Sequence, residues 1–183
     1  LGHSTDDGSA GRQLLDGGRA SGGTVSFTHL FNAMGGIQAR SPGLAGTALL
    51  DGNSWAELIF DRQHVHDDVL RLALRCLGER LLFVTDAMRA AGQGDGPTQL
   101  GGQAVTVTAG RAQLADGTLA GSVLTMDQAF RNAVAIGLSL SEAVSLTSSA
   151  AAAYLGLADR GQLSEGRRAD RGCMNERRRS TAA

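Results

Sequence analysis

Trp55-Ala56-Glu57-Leu58-Ile59-Phe60, then Asp67-Asp68-Val69-Leu70-Arg71-Leu72-Ala73-Leu74-Arg75-Cys76-Leu77-Gly78, then Leu81-Leu82-Phe83-Val84-Thr85-Asp86 is the stretch that decides the fold. The two outer pieces are short and apolar, as buried strands are. The middle piece opens on two acids, repeats apolar residues at helical spacing and stops at a glycine, the pattern of a capped amphipathic helix. A strand, a crossover helix and a second strand make a βαβ unit, so the sheet is expected to be parallel. The near-continuous apolar run from Leu81 fits a parallel strand covered on both faces.

Upstream, Thr24-Val25-Ser26-Phe27-Thr28-His29 follows a glycine pair and predicts another strand. Before it, the glycines and acids around Asp6 to Gly11 and Gly22-Gly23 predict only a short helix, over about 11–16. Downstream, Val105-Thr106-Val107-Thr108, Ala109-Gly110 and Arg111-Ala112-Gln113-Leu114 predict a β-hairpin within 103–115. Two helices are expected over about 125–136 and 141–155, the second led by Ser139 or Ser141 and stopped by Gly156. Gly92-Gln93-Gly94-Asp95-Gly96 has neither P-loop spacing nor a following helix and reads as a flexible loop. The stretch from Asp116 to Ser122 reads as a turn leading into a helix.

The chain has 183 residues, 42% hydrophobic and 19% charged, which suits a globular α/β domain and excludes a disordered chain. All 17 basic residues are arginine, set against 18 acids. A net charge of -1 argues against a nucleic-acid partner. No apolar run approaches the roughly 18 residues of a membrane span. Cys76 and Cys173 stand far apart and form no metal pair, so a cytoplasmic, reducing setting is expected. The charge is unevenly placed: Arg167 to Arg179 holds six arginines and two acids, leaving an acidic body and a basic tail.

Polar residues recur where strands end. His29 closes one predicted strand, His64 and His66 follow the next, Asp86 closes the third, and His3 would end a strand entering from upstream. In a (β/α)8 barrel the C-terminal strand ends form the active-site face. Histidines and an aspartate converging there are the set that holds a hydrolytic metal and manages protons.

Leu1-Gly2-His3-Ser4, Thr28-His29-Leu30-Phe31-Asn32-Ala33-Met34, Arg40-Ser41-Pro42-Gly43-Leu44, His64-Val65-His66, Val84-Thr85-Asp86-Ala87-Met88 and Leu119-Ala120-Gly121-Ser122 occur in this order. Together they resemble the N-acetylglucosamine-6-phosphate deacetylases of the amidohydrolase superfamily. Gly161-Gln162-Leu163, Gly166 and Ala169-Asp170 resemble that superfamily's closing signature. The resemblance implies an incomplete (β/α)8 metal-dependent hydrolase barrel over residues 1–160, comprising strands 5–8 with their helices. It implies the start of a small β-sandwich domain over 161–170, and the 171–183 tail departs from the family as a disordered or frame-shifted end would.

The resemblance also implies roles. His3 and His29 match two ligands of a divalent metal, zinc first, with iron or another divalent ion as options. Asp86 matches the catalytic acid/base, and His64 the histidine that contacts substrate and polarises the acetyl carbonyl. Asn32, Ala33 and Arg40 match positions that bind the sugar phosphate, and Leu119, Ala120 and Gly121 match a substrate-contacting loop. The implied substrate is N-acetylglucosamine 6-phosphate, handled by a homodimer. The family's first half, with a glutamate ligand, has no counterpart in these residues. The chain alone is therefore expected to bind zinc weakly and to be inactive. The alternatives are a non-catalytic half-barrel or association module, and an amidohydrolase acting on a cyclic amide. Arg40 argues against the latter, because a neutral ring needs no guanidinium fork.

Overall fold

A computed structural model of the chain describes residues 1–170. The basic tail over 171–183 lies outside the described residues. In chain order the elements begin with helix α1 (Ser9–Ala20), strand β1 (Ser26–Phe27), helix α2 (Gly43–Leu50), strand β2 (Trp55–Leu58), helix α3 (Asp67–Leu77) and strand β3 (Leu81–Phe83). An antiparallel set follows: β4 (Gly96–Leu100), β5 (Gln103–Thr108), β6 (Arg111–Gln113) and β7 (Leu119–Gly121). Helices α4 (Met126–Ala135), α5 (Leu140–Val144) and α6 (Ala150–Tyr154) close the described chain.

β1, β2 and β3 form a parallel sheet in sequential order, as the βαβ reading requires. Leu1 adds a rung beside β1: its amino group donates to the Ser26 carbonyl at 2.6 Å, and the Thr28 N–H donates to the Leu1 carbonyl at 2.9 Å. The register puts Phe27, Ala56, Leu58, Leu81 and Phe83 on one face of the sheet. All five are buried, in one core with Leu44 and Ala48 of α2 and Leu70, Ala73 and Leu77 of α3. Each large side chain so buried contributes about 1.5–3 kcal/mol. Phe60 and Phe83 stack within that core, ring centroids 5.4 Å apart. On the opposite face, Tyr154 of α6 packs on Trp55 and donates to the Ser26 hydroxyl at 2.9 Å.

Several expectations are corrected. The strands are shorter than their apolar runs, because His29 and Asp86 take φ of 35° and 45°, a left-handed backbone no strand can continue. α1 runs for 12 residues instead of the short helix expected over 11–16. Its Asp6 carboxylate accepts from the N–H groups of Gly8, Ala10 and Gly11, which starts the helix inside the supposed breaker. Gly18 is tolerated within it because any Cβ there would lie 2.5 Å from Val25 Cγ2.

α2 carried no sequence signal: Gly-Leu-Ala-Gly-Thr-Ala-Leu-Leu is buried from Gly43 to Leu49 and has no polar stripe. The expected flexible loop before the hairpin ends in strand β4, and the expected turn at 119–121 is strand β7. Together they extend the hairpin to a four-stranded antiparallel sheet. The helix expected over 141–155 is interrupted by a π-helical turn over Ser145–Ser149, where the Thr147 hydroxyl takes the Ala143 carbonyl at 2.7 Å. Its start is as expected, with Ser139 and Glu142 forming a reciprocal capping box. Residues 161–170 form turns and bends without a strand.

Candidate active site

The C-terminal ends of the parallel strands carry the residues singled out by sequence. His3, in the segment hydrogen-bonded alongside β1, and His29, just past the end of β1, have ring centroids 4.5 Å apart and planes at 84°. Their approach depends on Gly2. A Cβ at that position would lie 2.5 Å from Thr28 Cγ2 and 3.4 Å from His29 Cε1. His29 is 6% exposed, and its Nδ1 lies 3.1 Å from the Asn32 carbonyl. A carbonyl only accepts, so Nδ1 carries the proton and Nε2 keeps its lone pair. A backbone carbonyl on one ring nitrogen is the contact that leaves the other nitrogen of a histidine free to ligate a metal.

Asn32 closes the same loop, its side-chain amide donating to the carbonyls of His29 and Leu30 at 3.2 and 3.3 Å. Its role in this structure is therefore to shape the His29 loop. Ala33 is exposed at φ 49°, and Arg40 is exposed at the tip of a tight turn closed by Gln38 and Ser41.

His64 is held differently. Its Nδ1 lies 2.7 Å from Asp61 Oδ2, and the two side chains are 9% and 10% exposed. Asp61 Oδ1 accepts from the N–H groups of Gln63 and His64 at 2.8 and 2.9 Å. Burial pushes the Asp61 carboxyl up, but hydrogen bonds from the His64 ring and these two amides outweigh it and hold the carboxyl below its ordinary value. His66 does not join the site. It caps α3, its Nδ1 accepting from the Asp68 N–H at 3.2 Å.

Asp86 is exposed at the end of the third strand. The next residues bring the antiparallel sheet to it: Ala87 bridges Ser122, and the Met88 N–H donates to the Ser122 carbonyl at 2.8 Å. This places Leu119, Ala120 and Gly121 beside the Asp86 loop. His3, His29 and Asp86 share one unusual property, a positive φ (49°, 35° and 45°). Such conformations cost energy and cluster at functional sites.

Among the described residues no three His, Cys, Asp or Glu side chains gather closely enough to hold a metal. The donor set present, two imidazoles with one tautomer already fixed, fits a divalent metal as two of its ligands. A cavity of 490 Å³ opens on the α4 side of the His64 loop, lined by Asp61, Gln63, Asp95, Gln128 and Asn132 among others. Its charged lining side chains, Asp61 and Asp95, are both acids, which repel a phosphate. Asp61 is the residue that sequence reading passed over. Its signal was the three-residue spacing to His64 immediately after a strand.

A parallel sheet in sequential strand order with a crossover helix between β2 and β3 puts the chain in the α/β class. Comparison with known proteins sharpens this. The chain is 44% identical over 156 residues to the N-acetylglucosamine-6-phosphate deacetylase of Lysinibacillus sphaericus, covering 84% of this chain and 40% of that protein. It is 40% identical over 171 residues to the N-acetylgalactosamine-6-phosphate deacetylase of Escherichia coli O157:H7, covering 92% of this chain and 44% of that one. A relative from Escherichia coli (strain K12) is 41% identical over 143 residues, and there the match covers 77% of this chain and 86% of that protein.

Crystal structures of N-acetylglucosamine-6-phosphate deacetylases superpose well. The Thermotoga maritima enzyme gives a TM-score of 0.80 at 34% identity, with 92% of this chain and 46% of that chain covered. The Mycobacterium smegmatis enzyme gives 0.79 at 40% identity, with 92% and 45% covered. No protein-family model matches the chain. The chain belongs to the family of N-acetylglucosamine-6-phosphate and N-acetylgalactosamine-6-phosphate deacetylases. It spans about 40% of the length of the first relatives named. No helix among the described residues is long and apolar enough to cross a membrane.

Proposed function

We propose that this chain supplies the C-terminal half of a (β/α)8 deacetylase barrel, residues 1–160 carrying strands 5–8, with residues 161–170 leading toward a small β-sandwich. The proposed reaction is hydrolysis of the acetamide of N-acetylglucosamine 6-phosphate to glucosamine 6-phosphate and acetate. The observation that carries this reading is the His3–His29 pair beside the end of β1, with the His29 tautomer set by the Asn32 carbonyl.

In this reading the Nε2 of His29 and the imidazole of His3 would hold a divalent metal, zinc first, with a third ligand from outside the described residues. The metal, when bound, supplies Lewis acidity to the acetyl carbonyl and lowers the pKa of the attacking water. The Asp86 carboxylate accepts the water's proton as the water attacks the carbonyl carbon, and returns it to the amine nitrogen as the C–N bond breaks. His64 binds the acetyl oxygen through Nε2. Arg40 pairs with the phosphate, a charge-assisted contact suited to a guanidinium fork. Asn32, Ala33 and Leu119 to Gly121 line the sugar. The exposed tip position of Arg40 supports a homodimer in which it reaches the neighbouring site.

The chain alone is expected to bind Zn²⁺ weakly and to release no acetate. Joined with the segment that precedes the matched region in a full-length relative, it is expected to release acetate. Arg40→Ala in that assembly should raise KM for the phosphorylated sugar by at least ~10-fold, as loss of a charge-assisted bond worth ~1.5–3 kcal/mol requires. An unchanged KM removes Arg40 from the phosphate site. A second substrate reading, N-acetylgalactosamine 6-phosphate, is favoured by the relative that covers 92% of this chain. Side-by-side rates on the two C4 epimers decide between them.

A further inference from the structure

We propose that Asp61 is a positioning residue for His64: it fixes the proton on Nδ1 and leaves Nε2 as the only nitrogen offered to the substrate. The catalytic consequence rests on the deacetylase reading, but the positioning itself does not.

The geometry dictates the tautomer. Asp61 Oδ1 is occupied by two backbone donors, Gln63 N–H at 2.8 Å and His64 N–H at 2.9 Å. Oδ2 is thus left for the ring, and Nδ1 sits 2.7 Å from it. A carboxylate only accepts, so Nδ1 must be the donor. Neutral His64 then presents a bare Nε2. It can donate from Nε2 only as the imidazolium, whose charge the Asp61 carboxylate compensates. With its Nδ1 proton held by Asp61, a His64 that polarises a carbonyl by donating a hydrogen bond must do so as the imidazolium. The loop is braced on both sides of the pair: the Phe60 carbonyl accepts from Asn132 at 2.9 Å, and Arg62 forms a bidentate pair with Asp67 at 3.1 and 2.8 Å. Ring orientation is therefore fixed before any substrate arrives.

Asp61→Asn makes a sharp test because its atoms are not interchangeable. The asparagine oxygen must take the Oδ1 position to keep both backbone donors, which puts the amide NH₂ against Nδ1. An NH₂ only donates, so Nδ1 must give up its proton and the neutral tautomer inverts to Nε2–H. Two-bond ¹H–¹⁵N NMR of the full chain, at a pH where the ring is neutral, reads this directly, with His64→Gln assigning the resonance among four histidines.

The wild type is expected to show a protonated-type Nδ1, an unprotonated-type Nε2 and an exchange-protected low-field Hδ1. Asp61→Asn is expected to exchange the two nitrogen types while amide spectra elsewhere stay in place. A wild-type Nδ1 without its proton overturns the proposal, even if the variant fails to fold. So does a folded Asp61→Asn that keeps the wild-type pattern. In the assembled enzyme, Asp61→Asn should lower kcat more than it changes KM. If acetate release is absent altogether while the tautomers invert as described, the deacetylase reading fails and the positioning role stands.

Discussion

His3 and His29 approach each other from two separate segments of the chain, whereas His64 meets its partner Asp61 three residues away within one loop. The second pair is closed within one turn: the Asp61 carboxylate accepts from the His64 ring and from the N–H groups of Gln63 and His64. The first pair depends on a glycine at position 2 and on the Asn32 carbonyl. A site assembled from distant segments is more sensitive to the packing between them than a site closed within a turn. The two pairs should therefore fail separately.

The largest perturbation should break both. Phe83→Ala removes the ring stacked on Phe60, which directly precedes the Asp61–His64 loop, and should cost about 3–5 kcal/mol. A urea midpoint measurement checks it, and a change below 1 kcal/mol would mean the core relaxes around the gap. Gly43→Ala is expected to separate the pairs. At φ 63° a Cβ would lie 2.3 Å from the Gly35 carbonyl oxygen, in the contact that ties the loop after β1 to the start of α2. The loss should be about 1–3 kcal/mol. Zinc binding should weaken with it, while the His64 NMR signature stays unchanged.

His29→Ala removes a proposed ligand and should weaken Zn²⁺ binding by at least ~10-fold, comparable to or larger than the usual cost of losing a hydrogen-bond partner of a metal ligand. Titration calorimetry reads this, and unchanged binding would place the metal elsewhere. The smallest effect is expected at Asp51, far from both pairs. Burial raises its carboxyl, but hydrogen bonds from Arg19, Ser54 and Asn53 outweigh this and lower it to about 2. Because the folded value lies below the unfolded one, the stabilisation is present above pH ~4 and is lost as pH falls toward 2. Asp51→Asn should therefore cost on the order of 1 kcal/mol near neutrality, with the difference from wild type closing over that window.

The contrast also explains what was legible in the sequence. The βαβ unit was plain because Asp67 to Gly78 is amphipathic, capped by His66 and ended by glycine. The strand-end histidines were legible as a recurring position. α2 was not, because a helix buried on all sides has no stripe to read. The length of α1 was hidden because its start depends on a carboxylate two residues before Gly8, a side-chain contact that composition does not reveal. Asp61 was hidden for the opposite reason: the spacing was visible, but an aspartate three residues before a histidine has many ordinary uses. Only the shared burial and the 2.7 Å separation set it apart.

The central claim is that Asp86 moves the proton in a deacetylase site that this chain helps to form. The most direct measurement is acetate release from N-acetylglucosamine 6-phosphate, with Zn²⁺, by this chain combined with the preceding segment of a full-length relative, comparing wild type with Asp86→Asn. The account predicts turnover that falls by ~10²–10⁴ in the variant with the circular dichroism spectrum unchanged. Equal turnover in the two proteins, or none from the wild type once segment and zinc are bound, would contradict it.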